Sequence, residues 1–326
     1  MEIAFGVLSS LEPEGTLEQL VRSLGKDDPV FIHHDFTKRA RVDLAETHAY
    51  LIPDPVVTAR GTGHTVRAIF HLIRIALKRS RFDYFQLLSP SCLPLRPVED
   101  LRRYLRRGQH AIHADILNLD KDERFMMSHG HRVFCRTGKL GSRLLSRSRR
   151  WYFGSDSVTF QYANLAVEVR SDSLAPLKPL QWIGKQVHQA ARAGLLDNHP
   201  FRRGMAPQVG SLWFCIRRDV CENLVSKRDS DPGIAYLKDL KLCEEIFFPT
   251  LLGNSPFDIV PSTHLVNEFI GSHPRPFNEA DLETLARSEK FFARKFEGGP
   301  AHPIRQSVLE QLKQREQDRM GSGPPG

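Results

Sequence analysis

The sequence predicts an α/β fold built on a mainly parallel, doubly wound sheet with flanking helices, and three observations carry that expectation. Short apolar runs at residues 3–8, 30–33 and 84–89 are strand-length. Amphipathic stretches at residues 17–24 and 65–78 carry the 3.6-residue periodicity of helices. The two kinds of segment alternate, which is the pattern of strand–helix–strand units and a parallel sheet. In such a sheet ligands bind beyond the carboxyl ends of the strands. The loops that follow Leu8, His33 and Leu88 are therefore the first places to expect a site.

The elements follow in order. A further strand is expected at 49–52, and after the proline-bounded segment Pro94 to Pro97 a short helix at 98–105. Residues 125–150 differ in character, because Arg143, Arg147, Arg149 and Arg150 are packed among serines; this stretch reads as a loop or a contact for a polyanion. Patterning then returns with a strand at 211–216, helices at 220–226, 243–252 and 279–288, and a polar helix at 308–318 before a Gly/Pro-rich end. The whole reads as a single domain over 1–305, with a nucleotide-binding half at 1–110 and an acceptor-binding, catalytic half at 111–305. Residues 306–326 form a polar helix and flexible tail.

Composition narrows the function. The chain of 326 residues is 40% hydrophobic, enough for a sizeable core. No apolar run approaches the roughly 18 residues of a membrane span, and the start lacks the features of a signal peptide, so a cytoplasmic protein is expected. Cys92, Cys135, Cys215, Cys221 and Cys243 are scattered without metal-ligand spacing and read as reduced core thiols. A net charge of +8 calls for an acidic partner. GxGxxG, GxxxxGK[ST], GxSxG and HExxH are all absent, which disfavours the commonest dinucleotide, P-loop, hydrolase and zinc-protease chemistries.

Individual residues then matter. His33 and His34 are neighbours on a strand and point to opposite faces, so they do not share a metal. Two Asp-x-Asp triplets, Asp120/Asp122 and Asp229/Asp231, sit in charged or turn-like segments and read as solvated turns. Glu244 and Glu245 lie directly against the apolar run 246–252. A carboxylate at the lip of an apolar pocket suits a general base, although acidic residues also favour a helix N-terminus. Arg275, between Pro274 and Pro276 and just before Phe277, and Lys295, between Arg294 and Phe296, offer a guanidinium fork and a point charge that suit a diphosphate, or a pair of surface cations.

Four blocks in order resemble the core-2/I-branching family, which includes branching N-acetylglucosaminyltransferases and peptide-O-xylosyltransferases. They are the opening strand with Val30-Phe31-Ile32-His33-His34-Asp35; Phe82 to Ser89 with Leu93-Pro94-Leu95; Gly210-Ser211-Leu212-Trp213-Phe214 with Glu244 to Leu251; and Gly271 to Phe277 with Phe292 to Phe296. The resemblance runs from Ile3 to Phe296 and implies a GT-A type fold, inversion at the anomeric carbon and no metal or other cofactor. It implies Glu245 as general base and Arg275 with Lys295 at the diphosphate of a UDP-sugar donor, GlcNAc or xylose. Val7, Asp35 and the loop 60–64 with Gly61 and Gly63 fall at the uridine, and Trp213 and Glu244 on the side of a carbohydrate acceptor.

The chain departs from the family at Pro90-Ser91-Cys92, where an acid near the donor sugar is missing, and resembles it little over 121–207. The stalk, membrane anchor and cysteine framework of the animal relatives are also missing, and a bacterial-type enzyme of polysaccharide synthesis is expected. The segment Arg143 to Arg150 offers a peripheral contact with the anionic inner face of the membrane, and no nucleic-acid partner is expected. Two rival readings are a non-catalytic transferase-like module that binds an anionic surface, and a metal-dependent transferase using Asp120 and Asp122.

Overall fold

The apolar runs form strands buried on both faces, as parallel strands covered by helices must be. In the computed structural model, which describes residues 1–40, 42, 44, 47–154, 157–170, 178–227, 232–271 and 273–321, the first half of the chain alternates as expected. Strand β1 (Ile3–Ser9) is followed by α1 (Thr16–Ser23), β2 (Val30–His34), β3 (Tyr50–Leu51), α2 (Gly63–Arg79) and β4 (Tyr84–Leu88). Then come β5 (Cys92–Pro94), α3 (Val98–Gly108), β6 (Ile112–His113) and β7 (Ile116–Asn118).

The middle of the chain holds α4 (Glu123–Val133), α5 (Leu140–Phe153), the hairpin β8 (Ser157–Tyr162) and β9 (Leu165–Arg170), α6 (Lys178–Arg192) and β10 (Gln208–Gly210). Next are β11 (Cys215–Arg217), α7 (Arg218–Lys227), α8 (Pro232–Lys238), α9 (Glu244–Gly253), β12 (Ile259–Val260), β13 (Leu265–Val266), β14 (Phe269–Ile270) and β15 (His273–Pro274). The chain closes with α10 (Leu282–Arg287), β16 (Phe292–Arg294) and α11 (Pro303–Gly321).

The main sheet has the order β12-β6-β11-β4-β1-β2-β3. β1 pairs in parallel with β2 on one side and β4 on the other, and β3 continues the parallel set beyond β2. β11 runs antiparallel to both β4 and β6, so the sheet is mixed and mainly parallel. The chain leaves β1 toward β2 and β3 and returns to β4 across β1. That reversal opens a crevice at the carboxyl ends of β1 and β4. A smaller sheet, β13-β16-β5, stands beside it and ties Cys92 to Arg294.

Four expectations need correction. Residues 125–150 are not a loop but belong largely to α4 and α5, anchored by Phe125, Val133, Leu145 and Phe153. The sparse apolar residues recur at helical spacing once the arginines are discounted. Residues 211–216 are not one strand: β10 ends at Gly210, which passes so close to Asp115 that a Cβ there would lie 2.3 Å from its carbonyl oxygen. The helix expected at 279–288 is split into a 3₁₀ turn at Glu279–Asp281, capped by Asn278, and α10. The last helix begins at Pro303, and its Ile304, Val308 and Leu312 pack into a second core with Leu93, Leu95, Phe277 and Phe296. All five cysteines are buried and unpaired. Among the described residues no helix is long and apolar enough to cross a membrane.

Close packing at the sheet centre gives a direct test. Gly6 on β1 lies under the Phe85 ring, and a Cβ at Gly6 would sit 2.2 Å from Phe85 Cζ, an impossible contact. Phe85 is fully buried and has no room to withdraw. Gly6→Ala is expected to cost roughly 1–3 kcal/mol by overpacking, read as a lower urea midpoint with unchanged slope. A midpoint equal to wild type would show that the ring has a free path away from β1.

Candidate active site

A cavity of about 480 Å³ opens at the crevice between β1 and β4, within the roughly 300–1,000 Å³ range of small-molecule sites. Each of the three expected loops contributes: Ser9, Ser10 and Glu12 after β1, Lys38 after β2, and Ser89 after β4. The opposite wall comes from the second half of the chain, including Arg132, Trp213, Glu245, Arg294 and Lys295. The lining holds Lys38, Arg60, Arg132, Arg294 and Lys295 against Glu12, Glu244 and Glu245, so the cavity favours an anion.

The two acids at the start of α9 have separate environments. Glu245 keeps about a third of its side chain exposed to the cavity, and its Oε2 accepts from Arg132 Nη2 at 2.7 Å. Glu244 is only 5% exposed, and its Oε1 accepts from the Gly61 amide at 2.9 Å. Burial raises the Glu244 carboxyl above its usual range, the hydrogen bond from Gly61 opposes the rise, and the neighbouring Glu245 adds to it. Glu244, expected on the acceptor side, thus touches the cavity while fastening the loop around Gly61 to α9.

This loop needs its glycine, since Gly61 adopts a φ of +79°. Gly63 opens α2 and packs against the backbone of Lys238. Neither glycine lines the cavity; Arg60 and Thr65 around them do.

Glu244 also makes stability depend on pH. Its folded carboxyl holds a proton to higher pH than the ordinary glutamate value of 4.5. The stability it contributes is therefore fully present below that value and is lost as pH rises through the folded pKa. Glu244→Gln keeps an acceptor for Gly61 without the buried charge. The variant is expected to have a higher urea midpoint than wild type at neutral pH, with the gap closing in acid. A constant gap across that range would exclude the carboxyl as the cause.

Asp35 follows β2 and is 1% exposed, with both carboxylate oxygens in use. Oδ1 accepts from the Thr37 amide and hydroxyl, and Oδ2 from the Thr58 amide at 2.6 Å and hydroxyl at 2.7 Å. Burial opposes the charge, but these bonds outweigh it and hold the carboxyl well below the ordinary carboxylate range. Asp35 therefore does not reach the cavity; it fixes Lys38 and Thr58, which do. Val7 is likewise buried in the sheet, and the neighbouring Leu8 faces the cavity.

His33 accepts from the Val56 amide at 3.1 Å and is pushed down to about 4 by burial, while His34 bridges Ser9 and the Arg39 carbonyl. They take separate structural partners, as their alternation on the strand requires.

The two expected cations part company. Lys295 lines the cavity, with Glu297 as its ion-pair partner. Arg275 does not: its guanidinium is held by Glu268 and by both oxygens of Asp281, which raise its pKa further. The fork expected for a diphosphate is saturated by two carboxylates of the protein. Arg275 instead clamps the base of the β14–β15 hairpin, whose Phe269, His273 and Pro274 line the cavity.

The second guanidinium in the cavity is Arg294, directly before Lys295. It lies 4.8 Å above the Trp213 ring, burial lowers its pKa, and its Nε has no hydrogen-bond partner among the described residues. The sequence signal for it is the basic pair Arg294-Lys295 within Phe292 to Phe296. Arg132 and His129 come from α4, in a stretch that carried no motif; nothing local marked them.

The Asp-x-Asp triplets offer little to a cation. Asp120 is taken bidentately by Arg192, and Asp122 caps α4 while pairing with Arg124. Asp229 and Asp231 lie outside the described residues. Among the described residues no three His, Cys, Asp or Glu side chains gather as a metal site.

No curated protein matches the chain. A family model described as "Core-2/I-Branching enzyme" matches residues 29–175, which span β2 to the end of the β8–β9 hairpin and include Lys38, Thr58, Arg60, Ser89, His129, Arg132 and Asn164 of the cavity. Over residues 29–175 the chain is thus similar to the core-2/I-branching enzymes, a family of glycosyltransferases.

Proposed function

We propose that the chain is an inverting, metal-independent glycosyltransferase of GT-A type, moving GlcNAc or xylose from a UDP donor to a hydroxyl of a glycan acceptor. The observation that carries the reading is one cavity holding an accessible carboxylate, Glu245, together with the cations Arg294 and Lys295. In this scheme Glu245 removes the acceptor proton while the acceptor oxygen attacks the anomeric carbon from the face opposite UDP. The bond to the UDP oxygen breaks, and the cations neutralise the charge that grows on the leaving diphosphate.

Arg132 holds the Glu245 carboxylate in one direction, so the base is already oriented before the acceptor arrives. Uridine is assigned to the surface of Leu8, Ser9, Lys38, Thr58 and Arg60, with Val7, Asp35, Gly61 and Gly63 supporting it from behind. Trp213 and the residues from α4 and β9 face the acceptor side. The exposed stripe Arg143, Arg147 and Arg150 on α5 supports a peripheral contact with an anionic membrane on the cytoplasmic side.

The test is calorimetric titration of UDP and UDP-sugars in EDTA. Binding that persists in chelator and is lost in Lys295→Ala is the expected result, and the tightest sugar identifies the donor. No binding of any uridine nucleotide would overturn the reading.

A further inference from the structure

A second concavity, of about 500 Å³, lies away from the cavity just described and shares no lining residue with it. Its wall is one face of α3, where Asp100, Arg103, Tyr104 and Arg107 recur at helical spacing, met by Arg96 and by Lys290. Tyr104, His264 and Phe291 form an aromatic floor, with ring centroids 5.4–5.6 Å apart. The groove continues past Arg96 and Arg103 onto Arg315 and Arg319 of α11. Six cations thus face three carboxylates, Asp100, Glu289 and Asp318.

Two of these cations are braced by the protein without being neutralised. Arg96 donates through Nε and Nη2 to the Ser288 carbonyl, and Lys290 donates to the Thr263 carbonyl at 2.9 Å. Both anchors are neutral carbonyls that fix position without supplying a counter-charge, and Asp115 is the acid that acts on Lys290 through space. Burial lowers the Lys290 amine, and Arg315 is lowered first by burial and then by Arg96. Like charges held this close destabilise the empty groove, and an anion would relieve them. Asp100 is shared, as an ion-pair partner 4.0 Å from both Arg103 and Arg319, so one carboxylate serves two guanidiniums.

We propose that this groove, formed by α3, the 288–291 segment and α11, is a second anion site that binds a phosphoryl group through Arg96, Arg103, Arg107 and Lys290. Arginine forks and one ammonium match a dianion with three terminal oxygens, and they exceed what a single carboxylate needs. The site is independent of the proposed transfer reaction. It takes either a soluble phosphate ester or the phosphate headgroup of a lipid.

The experiment uses the full chain and two probes. Inorganic pyrophosphate is titrated calorimetrically, and flotation is measured with phosphatidylcholine vesicles containing phosphatidic acid, against phosphatidylcholine alone. Wild type is compared with Arg103→Ala/Arg107→Ala, whose side chains are exposed, and with Lys295→Ala in the first cavity. Thermal melting confirms that all three proteins fold.

The expected result is binding that weakens at least tenfold in Arg103→Ala/Arg107→Ala and persists in Lys295→Ala. Pyrophosphate binding assigns a soluble phosphate, and flotation only with phosphatidic acid assigns a lipid headgroup. Absence of binding to both probes, or binding to Lys295→Ala protein that the further substitutions Arg103→Ala/Arg107→Ala leave unchanged, overturns the proposal.

Discussion

Glu245→Gln is expected to abolish most sugar transfer while leaving donor binding intact. A general base contributes roughly 10²–10⁴-fold, and glutamine keeps the shape of the side chain and one acceptor for Arg132 without the basicity. The measurement is UDP release with a glycan acceptor, set beside calorimetric donor affinity. A fall of about that size in kcat with donor Kd unchanged is the expected pattern. Full activity in the variant would remove Glu245 from the chemistry and favour a module that only binds. The choice between the two adjacent acids is a matter of environment. Glu245 presents its carboxylate to the cavity, whereas Glu244 is buried and committed to the Gly61 amide.

The second large effect is expected at Lys295. Charge on the diphosphate increases as the bond to the sugar breaks, so a cation there stabilises the transition state more than the bound donor. Lys295→Ala is expected to lower kcat by roughly 10²–10³-fold, the size seen when one preorganised charge-stabilising donor is removed. Lys295→Arg should recover a large part. Donor affinity should weaken too, and more at low salt than at high salt, because the interaction is screened. If kcat is untouched and only KM rises, the lysine binds ground state and transition state alike. Arg275→Ala should behave differently, because that side chain clamps the β14–β15 hairpin; a lowered melting temperature would accompany any loss of rate.

The sequence disclosed the sheet better than the site. Residues of β1, β2 and β4 are mostly apolar and almost all buried, as strands with two covered faces must be, and α2 carries seven buried residues along its face. Those signals are local. The failures have a tertiary origin. The strand expected at 211–216 is replaced by β10, which ends at Gly210, and β11; Asp115 and Pro249 crowd Gly210 from distant parts of the chain. The arginines of α5 hid the few apolar anchors of that helix.

At the site, the loops were legible from topology alone, since a switch point is implied by the order of strands. Side-chain commitments were not. Nothing near Asp35 in sequence announces Thr58 as its partner, and nothing near Arg275 shows that Glu268 and Asp281 will use up its guanidinium. Arg132 reaches Glu245 across 113 positions, a separation that no motif spans.

The pairing of β5 with β16 joins Cys92 to Arg294 and places Lys295 beside the crevice. During synthesis the chain supplies β1, β2 and β4 early, yet these strands wait about 200 further residues for the partner of β5. At roughly 5–20 residues per second, a translating ribosome holds the unfinished cavity open for on the order of ten seconds or more. Over that interval the free edge of β5 and the apolar side chains Leu93 and Leu95 have no cover from Ala293, Phe296 and α11. Chaperone demand in the cell should therefore peak on nascent chains halted before residue 290 and fall once β16 and α11 have emerged, a profile set by one strand pair of high sequence separation.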